Sequence, residues 1–343
     1  MPAAPSVRPI VQSDLPAISE LLAARHRADA TRLAFLEPAL SEPAGARAVL
    51  EALVRNPRAD GVVAEEHGSI IGFLFGERMD LAPTDMASLF IPPHSVALPI
   101  EGHAVAAGSD ATVVYRAMYA ALAGRWASDG YFIHRAAIPA GDAVTQEAWV
   151  SLGFGRYLTA ATRPTTPVKG HARAGVDIRR ASPEELDDVM FLAEELNAHH
   201  SRSPMFWPVL GTTEDSARAF NAAALRSATV PYFVAYEAGV PVGMQTFLRP
   251  GFTPPIINQS HDVYLFEGIV SESVRGSGMG TALLSHAMEW ARSEGTQSCT
   301  LHFASGNPTG GPFWLGQGFV PVEHTMERRL DERIAWAKPK SQS

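Results

Sequence analysis

The sequence predicts a mixed α/β fold, an α+β arrangement around a mixed sheet, made twice along one chain of 343 residues. Three observations carry that expectation. The chain resembles itself at a nearly constant shift, and each copy has a hairpin of strands at the same place. The second copy also has a strand that passes through alternating glycines into an amphipathic helix.

In chain order, Val7-Arg8 falls on Ile178-Arg179 at a shift of 171. Each leads into a helix, with apolar residues at Leu15, Ile18 and Leu22 in the first copy and at Leu186, Val189 and Leu196 in the second. The second helix begins on a capping box, in which Ser182 accepts from free N–H groups, Glu185 reaches back and Pro183 fixes φ at the first helical position. At the same shift Val63-Ala64 falls on Val234-Ala235, Gly68 on Gly239 and Gly72 on Gly243. Both copies therefore form a hairpin, with second strands Ile70 to Phe75 and Val240 to Phe247. Near the ends the shift drops to 165, where Trp149, Gly153 and Phe154 match Trp314, Gly318 and Phe319. Between the copies, Arg163 to Gly170 is rich in Pro, Thr and Gly and has no apolar period. The expected division is a first lobe over 1–165, a linker over 166–175 and a second lobe over 176–343.

Composition narrows the function classes. A chain that is 46% hydrophobic can fill two cores. The formal charge of −8, with no stripe of Lys or Arg, excludes nucleic acid as the expected partner. The single cysteine, Cys299, allows no intrachain disulfide and no Cys-based metal site, and no metal is expected. The N-terminus has neither the charged nor the apolar region of a leader, and no stretch is long and apolar enough to span a bilayer. A cytoplasmic protein without a membrane partner is expected, as a monomer or homodimer.

Val263 to Val270 reads as a mostly buried strand. It runs into Arg275-Gly276-Ser277-Gly278-Met279-Gly280-Thr281, and a helix follows with Leu283, Leu284, Ala287, Met288 and Ala291 on one face and Gly295 at its end. Glycines at 276, 278 and 280 let backbone N–H groups crowd toward one point, where the helix dipole adds positive potential; that is a cradle for pyrophosphate. A plain glycine-rich turn packing helix on strand is the alternative. Dinucleotide and P-loop patterns fit worse, because Thr281 stands where the first wants Gly or Ala and no Lys-Ser/Thr pair follows.

These residues resemble the GNAT N-acetyltransferase superfamily. Its coenzyme A motif, Arg/Gln-x-x-Gly-x-Gly/Ala, preceded at five residues by the last valine of a strand, is filled by Arg275, Gly278, Gly280 and Val270. Its downstream pattern is filled by Asn307, Gly310, Phe313-Trp314 and Gly318-Phe319. The resemblance covers roughly 178–330, with a weaker echo over 7–156, and so implies two tandem GNAT-like acyl-CoA N-acyltransferase lobes. It implies acetyl-CoA as cosubstrate, its pantetheine laid along Ile269 and Val270, its pyrophosphate on the backbone of Gly276, Ser277, Gly278, Met279, Gly280 and Thr281 beside Arg275, and Asn307 and Phe313 near the pantetheine arm.

The chemistry needs a base, because an alkylamine of pKa about 10 is mostly protonated at pH 7. Glu267 is the expected base, pointing opposite to the core-facing residues that alternate with it; a solvent-facing or Arg-paired acid is the alternative. A strand N–H near Val270 would hold the developing oxyanion. Trp314 stands where many relatives carry a Tyr that protonates the leaving thiolate, so the general acid is open. His302 is kept as a secondary proton carrier, although His134 matches it in the first copy. Glu272 reads as a solvated loop acid. His199, His200, Arg202 and the loop Arg249 to Asp262 lie where the fold admits its acceptor.

The first copy is degenerate. Glu101-Gly102 echoes Glu267-Gly268, but Asp110 stands five residues after Val105, no alternating glycines follow, and Asp142 replaces the Asn. It reads as a scaffold and substrate wall. The expected activity is acetylation of a primary amine, on a small molecule first, with direct attack in a ternary complex; peptide or protein amines, or an acyl-CoA-binding regulator without turnover, are the alternatives.

Overall fold

The computed structural model describes residues 5–170, 174–249 and 252–337. Linker residues 171–173 and loop residues 250 and 251 lie outside the described residues.

The first copy runs β1 (Ser6–Pro9), α1 (Leu15–Ala30), α2 (Pro43–Arg55), β2 (Ala59–Glu66), β3 (Ser69–Asp80), β4 (His94–Leu98), β5 (His103–Val105), α3 (Ala111–Ser128), β6 (Ile133–Pro139), α4 (Ala143–Ser151) and β7 (Gly155–Pro164). The second runs β8 (Val176–Arg180), α5 (Leu186–Ser201), α6 (Glu214–Leu225), β9 (Tyr232–Glu237), β10 (Val240–Leu248), β11 (Asp262–Val270), α7 (Met279–Ser293), β12 (Ser298–Ala304), α8 (Gly310–Gly316) and β13 (Val320–Arg329). The order is the same in both, except that β11 is one strand where the first copy has two, β4 and β5.

The expected hairpins form at β2–β3 and β9–β10. Their turns need two consecutive residues of positive φ, supplied by His67 (φ 50°) and Gly68 (φ 78°) and by Ala238 (φ 50°) and Gly239 (φ 79°). The capping box is also made: Glu185 accepts from the Ser182 N–H at 2.8 Å, on a short 3-10 turn that enters α5.

Two compact units emerge, and they follow the copies with three exchanges. One unit holds the residues through Leu81, Ile91–Tyr157 and those from Val322 onward; the other holds Ala82–Phe90 and Leu158–Pro321. Most of β13 thus completes the first unit, by antiparallel pairing with β6, and most of β7 completes the second, by antiparallel pairing with β12. A boundary drawn at residue 165 from the repeat differs here for a physical reason. The final strands pair with the other copy's sheet, β7 with β12 and β13 with β6, and a local alternating pattern does not say which sheet a strand closes.

Each unit puts helices on both faces of its sheet. In the first, strand order is β1-β2-β3-β4-β6-β13, with β5 on β3. Leu15, Ile18, Leu22 and Leu50 cover Phe73 and Phe75 on one face, while Tyr115, Met118, Leu122 and Trp126 cover Leu74 and Val96 on the other, as strand alternation requires. In the second, the order is β8-β9-β10-β11-β12-β7, with β11 and β12 parallel. There α7, through Leu283, Leu284, Ala287 and Met288, packs on Phe247, Leu265 and Leu301, and α5, through Val189, Leu192 and Leu196, packs on Val234, Met244 and Ile269. Burying each such side chain contributes about 1.5–3 kcal/mol. No helix among the described residues is long and apolar enough to cross a membrane.

Candidate active site

The site is built on a defect in β11. The strand pairs with β10 from Val270↔Gly243 to Thr246↔Glu267, and the next pair is Phe247↔Leu265. Phe266 is therefore an extra residue, a β-bulge, which bends the strand and re-aims side chains. Strict alternation would put Glu267 on the α7 side with Val263 and Leu265. The bulge instead aligns it with Ile269, on the α5 and α6 side. The expectation that Glu267 turns away from core residues needs this correction: it turns away from the α7 core into the base of the opposite layer.

There the Glu267 carboxyl is enclosed. Burial pushes its pKa up to about 7, and its Oε2 is buried without a hydrogen-bond partner. Directly opposite it in the register, Thr246 is fully buried and its Oγ1 also lacks a partner. Tyr232 is close enough for Glu267 to help raise its pKa, behind the dominant effect of burial, but its hydroxyl donates to Asn221 at 2.6 Å. Buried polar atoms normally have partners, so two unpaired ones at adjacent positions mark a place for a water or a ligand.

At the same bulge β11 parts from β12. Parallel pairing runs from Asp262↔Ser298 to Leu265↔Leu301, and among the described residues no pair follows, although β11 continues to Val270 and β12 to Ala304. One edge of the segment 266–270 is left for an extended ligand to join as a strand. Its end is shaped by Arg275, whose Nε donates to the Val270 carbonyl at 3.0 Å.

Beyond lies the glycine loop. Gly276 (φ 75°) and Gly278 (φ 85°) both take left-handed conformations that a side chain would strain, and a Cβ at either would project into open space. Gly278 is the N-cap of α7, and no side chain caps that helix. The first N–H groups of α7 have no partner inside the helix and so present donors and a positive dipole to an anion. Met279 is buried in the core below, while Ser277 folds its hydroxyl onto the Val274 carbonyl at 2.6 Å, and Thr281 lies one turn into the helix. These features fit the pyrophosphate and pantetheine of an acyl-coenzyme A.

Downstream residues brace the loop. The Phe313 ring lies against Gly280, and Trp314, nearly buried, lies against Gly268, where a Cβ would come within 3.0 Å of its ring. Position 268 therefore admits only glycine without movement. The Asn307 Oδ1 accepts from the N–H groups of Thr309 at 3.0 Å and Gly310 at 2.8 Å, capping the entry to α8. His302 is held neutral, its pKa lowered to about 4 by burial, with Nδ1 2.9 Å from the Tyr264 hydroxyl. Its first-copy match, His134, makes the same kind of bond to Tyr119 at 2.6 Å. His199 sits by the loop, 3.4 Å from the Thr309 Oγ1, its pKa lowered by burial and then by Arg275. The His200 ring packs on Trp207 instead, 4.9 Å between centroids. Glu272 is exposed and 3.6 Å from Arg202.

Sequence reading missed the bulge, Thr246, and the bond from the Ser271 hydroxyl to Glu195 of α5 at the strand's end. A break in alternation at Phe266-Glu267 was the only signal available for the first. The others are contacts between distant residues, which no local pattern announces.

Residues 194–319 match the acetyltransferase (GNAT) family. No curated protein matches the sequence. Among solved structures, a GCN5-related N-acetyltransferase from Sphaerobacter thermophilus is similar at 15% identity and TM-score 0.55, covering 97% of each chain. A GCN5-related glucosamine N-acetyltransferase region of a fungal multi-domain β-N-acetylglucosaminidase is similar at 12% identity and TM-score 0.52, over 95% of this chain and 38% of that one. A tandem GNAT protein from the clavulanic acid biosynthesis pathway aligns at 15% identity and TM-score 0.49, over 95% and 98%. The segment that matches the GNAT acetyltransferase family, 194–319, holds both the glycine loop and the bulged strand, and the fold of the chain is similar to that of a GCN5-related N-acetyltransferase over nearly its whole length.

Proposed function

We propose that the chain transfers an acetyl group from acetyl-CoA to a primary amine of a small molecule, in a ternary complex, with Glu267 as the base. One observation carries this reading: a buried carboxyl of pKa about 7, its Oε2 unpartnered, at the point where β11 leaves β12. Such a group is a carboxylate often enough at neutral pH to accept a proton, and basic enough to hold it. The N–H groups from Gly276 to Thr281 hold the pyrophosphate, the open edge at Ile269 and Val270 holds the pantetheine, and a strand N–H near Val270 steadies the developing oxyanion. Thr246 supplies a hydroxyl beside the carboxylate for a relaying water. With Trp314 in place of a phenol, the thiolate leaves without a strong acid, which its pKa near 8.5 tolerates. The first copy serves as scaffold.

Trp314 also favours a second reading, an acyl-CoA-binding protein without turnover. Glu267→Gln separates the two, assayed on the full chain with acetyl-CoA and a panel of primary amines by release of free thiol. The proposal expects acetyl-CoA affinity within about twofold of wild type and turnover lower by about 10²–10⁴. An unchanged rate would remove Glu267 from the mechanism, and no thiol release by wild type with any amine would favour the binding protein.

A further inference from the structure

The bulge that aims Glu267 also places the Phe266 ring on the same side of the sheet, and Phe266 is the hub of an aromatic cluster gathered from distant segments. Its centroid lies 5.6 Å from Phe252, 5.8 Å from Phe220 of α6 and 5.9 Å from Phe90; Phe90 in turn lies 6.4 Å from Trp207. Phe252 is 56% exposed, and the other four rings are only partly covered. Partly exposed aromatic rings beside a buried, unpartnered carboxylate oxygen are what a small-molecule pocket looks like when its apolar wall and its polar anchor adjoin.

Phe90 comes from the first copy, in the segment Ala82–Phe90 that belongs to the second unit. The segment is fixed there: the Thr212 hydroxyl donates to the Pro83 carbonyl at 2.8 Å and the Ser216 hydroxyl to the Thr84 carbonyl at 3.2 Å. The wall is thus held in place rather than assembled by chance contact.

Charge argues the same way. A polyamine or aminoglycoside needs several carboxylates around its ammonium groups, whereas the rings of Phe90, Phe220, Phe252 and Phe266 gather beside the carboxyl of Glu267 at the bulge.

We propose that the acceptor is a primary amine carried on an aromatic or similarly flat apolar body, its nitrogen directed to Glu267 and its ring packed edge-to-face on Phe266, Phe252 and Phe90. This rests on the acetyl-transfer reading above. The test is calorimetric titration of the full chain, saturated with coenzyme A, with 2-phenylethylamine, ethanolamine and kanamycin, in wild type and in Phe252→Ser, at a position 56% exposed, with an unchanged circular dichroism melt as the check on folding.

The inference expects 2-phenylethylamine to bind at least tenfold more tightly than either other amine, with that preference reduced below threefold in Phe252→Ser and coenzyme A affinity unchanged. Equal binding of the three amines by wild type, tighter binding of kanamycin, or an undiminished preference in the variant would overturn it. Acetyl transfer to 2-phenylethylamine is measured separately. Selective binding without transfer supports the aromatic-amine site and counts against the transfer reading, and transfer without selectivity does the reverse.

Discussion

Both copies carry a Glu-Gly pair on the equivalent stretch of chain, and both bury the acid, yet they diverge around it. In the second copy β11 is continuous and absorbs one extra residue at Phe266, which keeps Glu267 on a strand. In the first, Pro99 ends β4, Glu101 falls in the 3-10 turn Ile100–Gly102, and β5 resumes afterwards. Burial raises the Glu101 pKa as it does that of Glu267, but Glu101 shares its surroundings with Arg25 and Glu77. The following helix differs more. Asp110 caps α3 by accepting from the Val113 N–H at 3.2 Å, so the chain's own carboxylate holds the place an anionic ligand would need; α7 begins at Gly278 and is left open. On the function proposed above, what separates the two copies is less the acid than the anion that the first supplies to its own helix.

The largest expected effect breaks the comparison at the acids. Glu267→Gln should lower kcat by about 10²–10⁴, whereas Glu101→Gln should leave it within about threefold. The wild-type rate should also climb as pH rises through about 7, where the Glu267 carboxyl ionises, and the variant should lose that limb. A pH–rate profile for each checks this, and equal losses in the two variants would erase the distinction between the copies.

The double fold was legible in the sequence because hairpin glycines, a capping box and helical stripes are local signals. Gly68 and Gly239 take the positive φ their turns need, and the apolar stripe from Leu283 to Ala291 is buried as its spacing implies. The glycine loop was legible for the same reason. The direction of Glu267 was legible only in part, since period two cannot reveal a bulge. The exchange of β7 and β13 and the place of Phe90 were not legible at all. Each depends on which of two similar surfaces a segment chooses, which is decided by packing between distant residues.

A smaller effect sharpens the contrast through stability. Burial, and then Glu101, push the Glu323 carboxyl of the first unit up to about 8, against an ordinary 4.5. The folded chain keeps a proton that the unfolded chain releases, so this contribution is fully present below about pH 4.5 and is lost as pH rises toward 8, by at most about 1.4 kcal/mol per pH unit. His103 and His134, held neutral by burial with pKa values lowered to about 3 and about 4, act oppositely, costing stability as pH falls below 6.5. Denaturant melts between pH 5 and 8 should show Glu323→Gln flattening the alkaline loss, and a parallel slope in wild type and variant would contradict it.

The smallest effect concerns the cap. Asp110→Ala should cost about 1 kcal/mol, read as a lower urea midpoint with unchanged slope, and should not weaken coenzyme A binding. A drop in ligand affinity would mean that the first copy's helix takes part after all.

The most direct measurement is the stoichiometry of acetyl-CoA binding, by calorimetry on the full chain, on Gly278→Val and on Gly108→Val, whose glycines have the same left-handed φ, 85° and 88°, before the equivalent helices. The account predicts one site per chain, abolished by the first substitution and retained in the second. Two sites in wild type, or a single site lost with Gly108→Val and kept with Gly278→Val, would contradict it.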